Sequence, residues 1–177
     1  MLMLDLFSGL GGASRAMKER GWEVVMIDND PARKPDILAD IRDWQWSGTR
    51  PDLLWASPPC TDFSREDQPW THRGIKPDLS CCLATMRLIA SIKPRWWILE
   101  NVRGAVPYLG RRYLRIGSRY LWGRFPLFLT NHCYGKTNIP SGKNQAALRA
   151  LIPYGISLAL AQAIEGVCEP TAPEERQ

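Results

Sequence analysis

Two residues of this sequence are of the type, and stand in the setting, to do covalent chemistry together. Cys60 follows the run DLLWASPP, residues 52–59, in which a short apolar stretch is stopped abruptly by Ser57-Pro58-Pro59. A thiol there lies at the carboxyl end of a strand, where open α/β sheets build their sites, and the prolines before it restrict the backbone that carries it. Glu100, followed by Asn101, closes a second apolar run, Arg95-Trp96-Trp97-Ile98-Leu99. A sulfur nucleophile and a carboxyl group at neighbouring strand tips make a two-residue reactive constellation. Taken singly, Cys60 reads as a small buried residue and Glu100 as a capping or ion-paired acid. Their matched placement favours chemistry.

A ligand site is expected beside them. Leu2 to Phe7 reads as an apolar strand interrupted by Asp5, and it runs into Ser8-Gly9-Leu10-Gly11-Gly12. A helical pattern from Ala13 to about Arg20 comes next, closed by Gly21. Strand, glycine turn and helix in that order let backbone pass close to a ligand, with polar groups favoured at the helix start. Trp22 to Ile27 is a second strand with Asp28 at its tip, where such folds bind ribose hydroxyls. Asp36 to Ile41 gives a short third strand. Asp40 either accepts from an exocyclic amine or caps the connector after it.

These positions require an α/β domain with a mostly parallel sheet and helices on both faces. Residues 42–50 form a polar connector holding Trp44 and Trp46, and the strand at 52–55 delivers Cys60. Residues 61–77 read as a loop over the site, with Trp70, His72 and Arg73 placed to touch a ligand. Leu79 to Ile92 reads as a helix whose core face is Leu79, Leu83, Met86, Ile89 and Ile92, with Cys81 and Cys82 as packing residues. Tyr113 to Trp122 mixes arginines with aromatics, 127–130 reads as a further strand, and 131–143 is turn-rich. Residues 145–165 read as a helix broken at 153–155, with Ile156, Leu158, Leu160 and Ile164 toward the sheet. The end, 169–177, reads as a frayed tail.

Composition narrows the classes. The chain has 177 residues, the size of one domain with a substantial core. Its five cysteines lack framework spacing and include the adjacent Cys81 and Cys82, which disfavours a disulfide scaffold. With two histidines and no CxxC, a zinc site is not expected. A reducing cytoplasm suits such a chain. No apolar run reaches membrane-spanning length, and the opening residues lack a signal peptide's charged and apolar regions. Net charge is +5, and no acidic residue occurs between Glu100 and Glu165, whereas nine arginines and lysines do. Clustered cations without intervening acids point to a polyanionic partner.

The motifs also resemble, in order, those of the S-adenosylmethionine-dependent cytosine-C5 DNA methyltransferases. DLFSGLGG at 5–12, IDNDP at 27–31, ADI at 39–41, SPPCTDFS at 57–64 and ENV at 100–102 carry the resemblance. It implies a Rossmann-like methyltransferase fold with S-adenosyl-L-methionine as cofactor. The cofactor site would be Phe7, Ser8, Gly9, Gly11, Gly12, Asp28, Asn29, Asp40, Ile41 and Pro58, with Asp28 on the ribose and Asp40 on the adenine. Cys60 would attack C6 of cytosine, and Glu100, with Asn101 beside it, would hold N3 and the exocyclic amine. Arg115-Ile116-Gly117-Ser118-Arg119 stands where the family carries Gln-x-Arg-x-Arg, so Arg119 is assigned to the base. Residues 152–157 stand where a Gly-Asn pair usually helps bind cofactor. Residues 1–168 are then one catalytic domain, with a target-recognition region reduced to about 125–145. DNA is the expected partner, with a specificity-supplying protein or a second copy as further candidates, and neither membrane nor metal. So compact a form suits an enzyme of a bacterial or phage-infected cell. The same chemistry on RNA or a free cytosine nucleotide, and a non-catalytic nucleic-acid-binding relic, are the alternatives.

Overall fold

A computed structural model describes residues 1–64, 76–130, 148 and 150–168. Its centre is the strand Leu2–Leu6 (β1), buried at all five positions, as expected of a parallel strand covered on both faces. Glu23–Asp28 (β2) and Leu53–Ala56 (β4) pair with it in parallel on either side. Ile37–Leu38 (β3) lies outside β2, and Trp96–Asn101 (β5) lies outside β4, again in parallel. Leu114–Ile116 (β6) and Arg119–Arg124 (β7) form an antiparallel hairpin, with β7 against β5. The seven-stranded order is β3-β2-β1-β4-β5-β7-β6.

Alternation along the central strands divides the core into two layers. Met3, Trp55, Ile98 and Leu121 meet one another on one face. Arg15–Glu19 (α1) and Tyr154–Cys168 (α3) cover it through Met17, Ile156, Leu160 and Ile164. Leu4, Leu6, Leu54 and Ala56 point the other way, against Ala84, Leu88 and Ile89 of Ser80–Ile92 (α2). The expected parallel sheet with helices on both faces is therefore present, with an antiparallel edge added. Ser157 locks α3 to the start of α1: its hydroxyl donates to the Ala13 carbonyl at 2.6 Å and accepts from the Ala16 N–H at 3.2 Å.

Two expectations differ from the observed fold. On α2, Leu83 is 64% and Met86 43% exposed, while Cys82, Ala84, Thr85, Leu88 and Ile89 are buried. The helix is rotated from the predicted face because its apolar residues nearly encircle it and only the sheet selects among them. Residues 127–130 form no strand; Leu127 and Leu129 are 79% and 87% exposed. The stretch rich in arginines and aromatics is the β6–β7 hairpin, turning at Gly117 with φ +62°. Within it, Gly123 lies opposite Ile98, and a Cβ there would stand 2.0 Å from the Trp97 carbonyl oxygen, so only glycine lets β7 close on β5.

Candidate active site

The glycine turn is built from left-handed backbone. Phe7, Gly9 and Gly11 have φ of +57°, +53° and +70°, so the chain reverses immediately beyond β1. The Gly9 N–H donates to Asp28 Oδ2 at 2.8 Å, and the Asp30 N–H donates to Asp28 Oδ1 at 2.9 Å. In this state the Asp28 carboxylate holds the turn and its own strand end. A cavity of about 200 Å³ opens beside the turn, lined by Asp5, Phe7, Ser8, Gly9, Leu10, Gly12, Ala13, Arg33, Ser57 and residues 150–152. A Cβ on Gly12 would stand 2.6 Å from the Ile152 carbonyl oxygen, so a bare backbone is what brings that wall in.

Of the residues expected at the cofactor, Phe7, Ser8, Gly9 and Gly12 line this cavity. Gly11 lies in the turn near the Met26 thioether, and Asn29 is exposed after β2. Asp40 realises its capping alternative. It accepts from the Arg42 N–H at 2.9 Å and pairs with the Arg42 guanidinium, which takes its carboxyl down to about 2. Ile41 is buried in the α2-side core, and the Pro58 carbonyl accepts a structural hydrogen bond from Asn101.

Asp5 was legible in the sequence only as an interruption of a strand. It is 1% exposed, and burial pushes its carboxyl up to about 7 against the opposing pull of Ser14 and Lys18. Its Oδ2 and the Ser8 hydroxyl are buried without hydrogen-bond partners among the described residues. An acid within an otherwise apolar, fully buried strand was the signal that could have marked it.

The second half of the site lies where β4 and β5 run side by side, with Ala56 paired to Leu99. Beyond that pair, Asn101 Nδ2 donates to the Pro58 carbonyl at 3.1 Å, and Asn101 Oδ1 accepts from the Val102 N–H at 2.9 Å. Asn101 thus ties the Pro-Pro-Cys segment to the end of β5. Cys60 is half-buried, and its carbonyl accepts from the Ser64 N–H at 2.8 Å, closing a turn after the thiol. Ser57 receives the Trp55 indole N–H at 2.8 Å and hydrogen-bonds the Glu100 carboxyl.

Glu100 is 6% exposed and faces Arg119 from β7, with Nη1 to Oε1 at 3.1 Å. Burial raises the Glu100 carboxyl above the ordinary carboxylate range, while Arg119 and Ser57 pull it back. Arg119 also donates to the Leu151 carbonyl at 2.7 Å and the Ala150 carbonyl at 3.3 Å. One guanidinium therefore joins the acid of β5 to a wall of the cavity. The thiol's loop, Glu100, Asn101 and Arg119 are assembled at one edge of the sheet. Trp70, His72 and Arg73 lie outside the described residues. Among the described residues, no group of three or more His, Cys, Asp or Glu could hold a metal ion, and no helix is long and apolar enough to cross a membrane.

Residues 1–115 match the family model described as C-5 cytosine-specific DNA methylase, more than half of the chain. The chain belongs to that family. A curated relative of this methylase chain is a Frog virus 3 (isolate Goorha) protein named "Probable DNA (cytosine-5)-methyltransferase". It is 28% identical over 176 residues, which cover 80% of this chain and 78% of that protein. The type II methyltransferase M.HindV of Haemophilus influenzae is 29% identical over 117 residues, covering 58% of this chain and 38% of its own. The methylase chain thus spans well under half the length of that relative. Among solved structures, S. pombe Dnmt2 methyltransferase is similar with 22% identity and a TM-score of 0.42, covering 60% of this chain and 38% of that one.

Proposed function

We propose that this methylase chain transfers a methyl group from S-adenosylmethionine to C5 of cytosine in DNA, with Cys60 as nucleophile and Glu100 as acid. The observation that carries the reading is the hydrogen-bonded bridge from Pro58 through Asn101 to the end of β5, where Glu100 lies buried against Arg119. It fastens the segment bearing the thiol to the strand bearing the acid.

The residues at the glycine turn fit the cofactor. The orphaned oxygens of Asp5 and Ser8 suit a positively charged, hydrogen-bonding amino-acid moiety, and the bare backbone at Gly9 leaves room for it. Phe7 supplies an apolar wall, and Asp28 a carboxylate for ribose hydroxyls if the Gly9 contact is exchanged. When bound, S-adenosylmethionine would supply an electrophilic methyl group.

Cytosine C5 is a weak nucleophile until something adds to C6. The Cys60 sulfur forms a bond to C6, and the ring electrons move toward C5 as N3 takes a proton from Glu100. A buried carboxyl raised above its usual range keeps that proton closer to neutral pH than an exposed one would. Arg119 orients Glu100 and offsets its charge once the proton has gone. After transfer, solvent water takes the C5 proton, and the electrons of that C–H bond reform the C5–C6 double bond as the C6–S bond breaks to return the thiolate. N3 gives its proton back to the Glu100 carboxylate. The cytosine must leave its stack to reach these groups.

Incubation with methyl-labelled S-adenosylmethionine and cytosine-containing DNA tests the reading. Label should enter DNA with the wild-type chain and be absent with Cys60→Ala. Equal incorporation by both, or none by the wild type across a range of salt, contradicts it.

A further inference from the structure

We infer that the face formed by residues 103–115 holds a single-stranded stretch of DNA, with Tyr108 and Tyr113 as stacking platforms for unpaired bases and the neighbouring arginines on phosphates. This rests on the proposed function and specifies the form of its substrate.

Two tyrosines of this face are exposed yet rigidly backed. Tyr108, 44% exposed, packs on the buried Phe63 ring at 5.9 Å between centroids. Tyr113, 39% exposed, lies against Tyr120 at 4.8 Å and Trp122 at 5.8 Å, both buried. The Trp122 indole N–H donates to the Gly110 carbonyl at 2.8 Å, pinning the segment between the two tyrosines onto β7. Rings held from behind present their outer surfaces with little rotamer freedom left to lose, which is what a base-stacking surface requires.

Charge completes the match. Arg103, Arg111, Arg112 and Arg115 are all exposed, and Arg115 lies over the Tyr120 ring at 5.7 Å. No acidic residue occurs in the sequence from 101 to 164, so no carboxylate of this segment opposes a phosphate. The face adjoins the site along the chain: Arg103 follows the last residue of β5 by two positions, and Phe63, which backs Tyr108, stands three residues beyond Cys60. Duplex DNA hides base faces from tyrosine rings, whereas a single strand offers them together with its backbone, and its cytosine is already free of a pair.

Fluorescence anisotropy of the full chain without cofactor, using a labelled 20-nucleotide strand and its duplex, tests this independently of methyl transfer. The single strand should bind about tenfold more tightly, and Tyr108→Ala and Tyr113→Ala should each weaken it about tenfold. Arg111→Gln with Arg112→Gln, at exposed positions that leave packing intact, should lower the salt slope of single-strand binding by about 1.4. Duplex bound as tightly as single strand, an RNA strand of the same sequence bound more tightly than DNA, or an unchanged slope in the arginine variant overturns the inference. Failure of methyl transfer with the strand preference intact would count against the proposed function alone.

Discussion

At the residue scale the site is governed by two buried acids. Asp5 is raised to about 7 by burial, from 3.8 where solvated, so the folded chain holds its proton more tightly than the unfolded chain. The stability this gives is complete below pH 3.8 and is lost as pH rises toward 7; the difference amounts to about 4 kcal/mol. Glu100 acts in the same sense, being raised chiefly by burial. Asp5→Asn should therefore be more stable than wild type at pH 8, with little difference at pH 4, as urea unfolding at the two values would read. The same variant should bind S-adenosylmethionine more weakly, because the orphaned carboxylate oxygen facing the cavity is replaced. A variant no more stable at pH 8 would mean that Asp5 is already well solvated. Cys60 and Glu100 were legible in the sequence because each stands at the abrupt end of an apolar run. The role of Asp5 was not, since a carboxylate in a strand pattern becomes informative only when all its neighbours prove buried.

At the scale of elements, β7 carries more than its sequence suggests. Arg119 reaches Glu100 on β5 and the carbonyls of 150 and 151 beside the cavity. Arg119→Gln leaves Glu100 buried without its cation, which should cost about 3 kcal/mol at pH 8 and less at pH 5, where the carboxyl can protonate. Calorimetry should also show weaker binding of S-adenosylmethionine, because the wall at 150–151 loses its anchor. Gly123→Ala should destabilise by about 3 kcal/mol or prevent folding, since the added methyl meets the Trp97 carbonyl and the backbone there, at φ +153°, is strained for an L-residue. Thermal unfolding within about 1 °C of wild type would contradict this pairing of β5 with β7. The hairpin was hard to see in sequence because arginines occupy β6 and both ends of β7, masking its alternation. The helix at 80–92 was plain, but its buried face was not. Periodicity finds a helix, and only the neighbouring sheet decides which way it turns.

For the whole molecule, the five parallel strands and their order arise from short local signals. Apolar runs stopped by Gly, Pro or Asp recur along the first hundred residues, and right-handed crossovers leave few ways to arrange them. Charge is distributed on a different principle. Acids are excluded from 101–164, where the arginines at 103, 111, 112 and 115 are exposed and Arg119 reaches the edge of the sheet that carries Cys60 and Glu100. The family motifs were legible because they occupy the turns at that same edge, where backbone geometry and chemistry constrain residue type together. The central claim is that the Cys60 sulfur bonds to a cytosine ring held by Glu100 and awaiting a methyl group. Mass spectrometry of the chain after incubation with S-adenosylmethionine and a DNA strand containing 5-fluorocytosine tests it most directly. The account predicts a covalent protein–DNA adduct that maps to Cys60 and is absent from Cys60→Ser; an adduct on another residue, or none while the methyl group is still transferred, would contradict it.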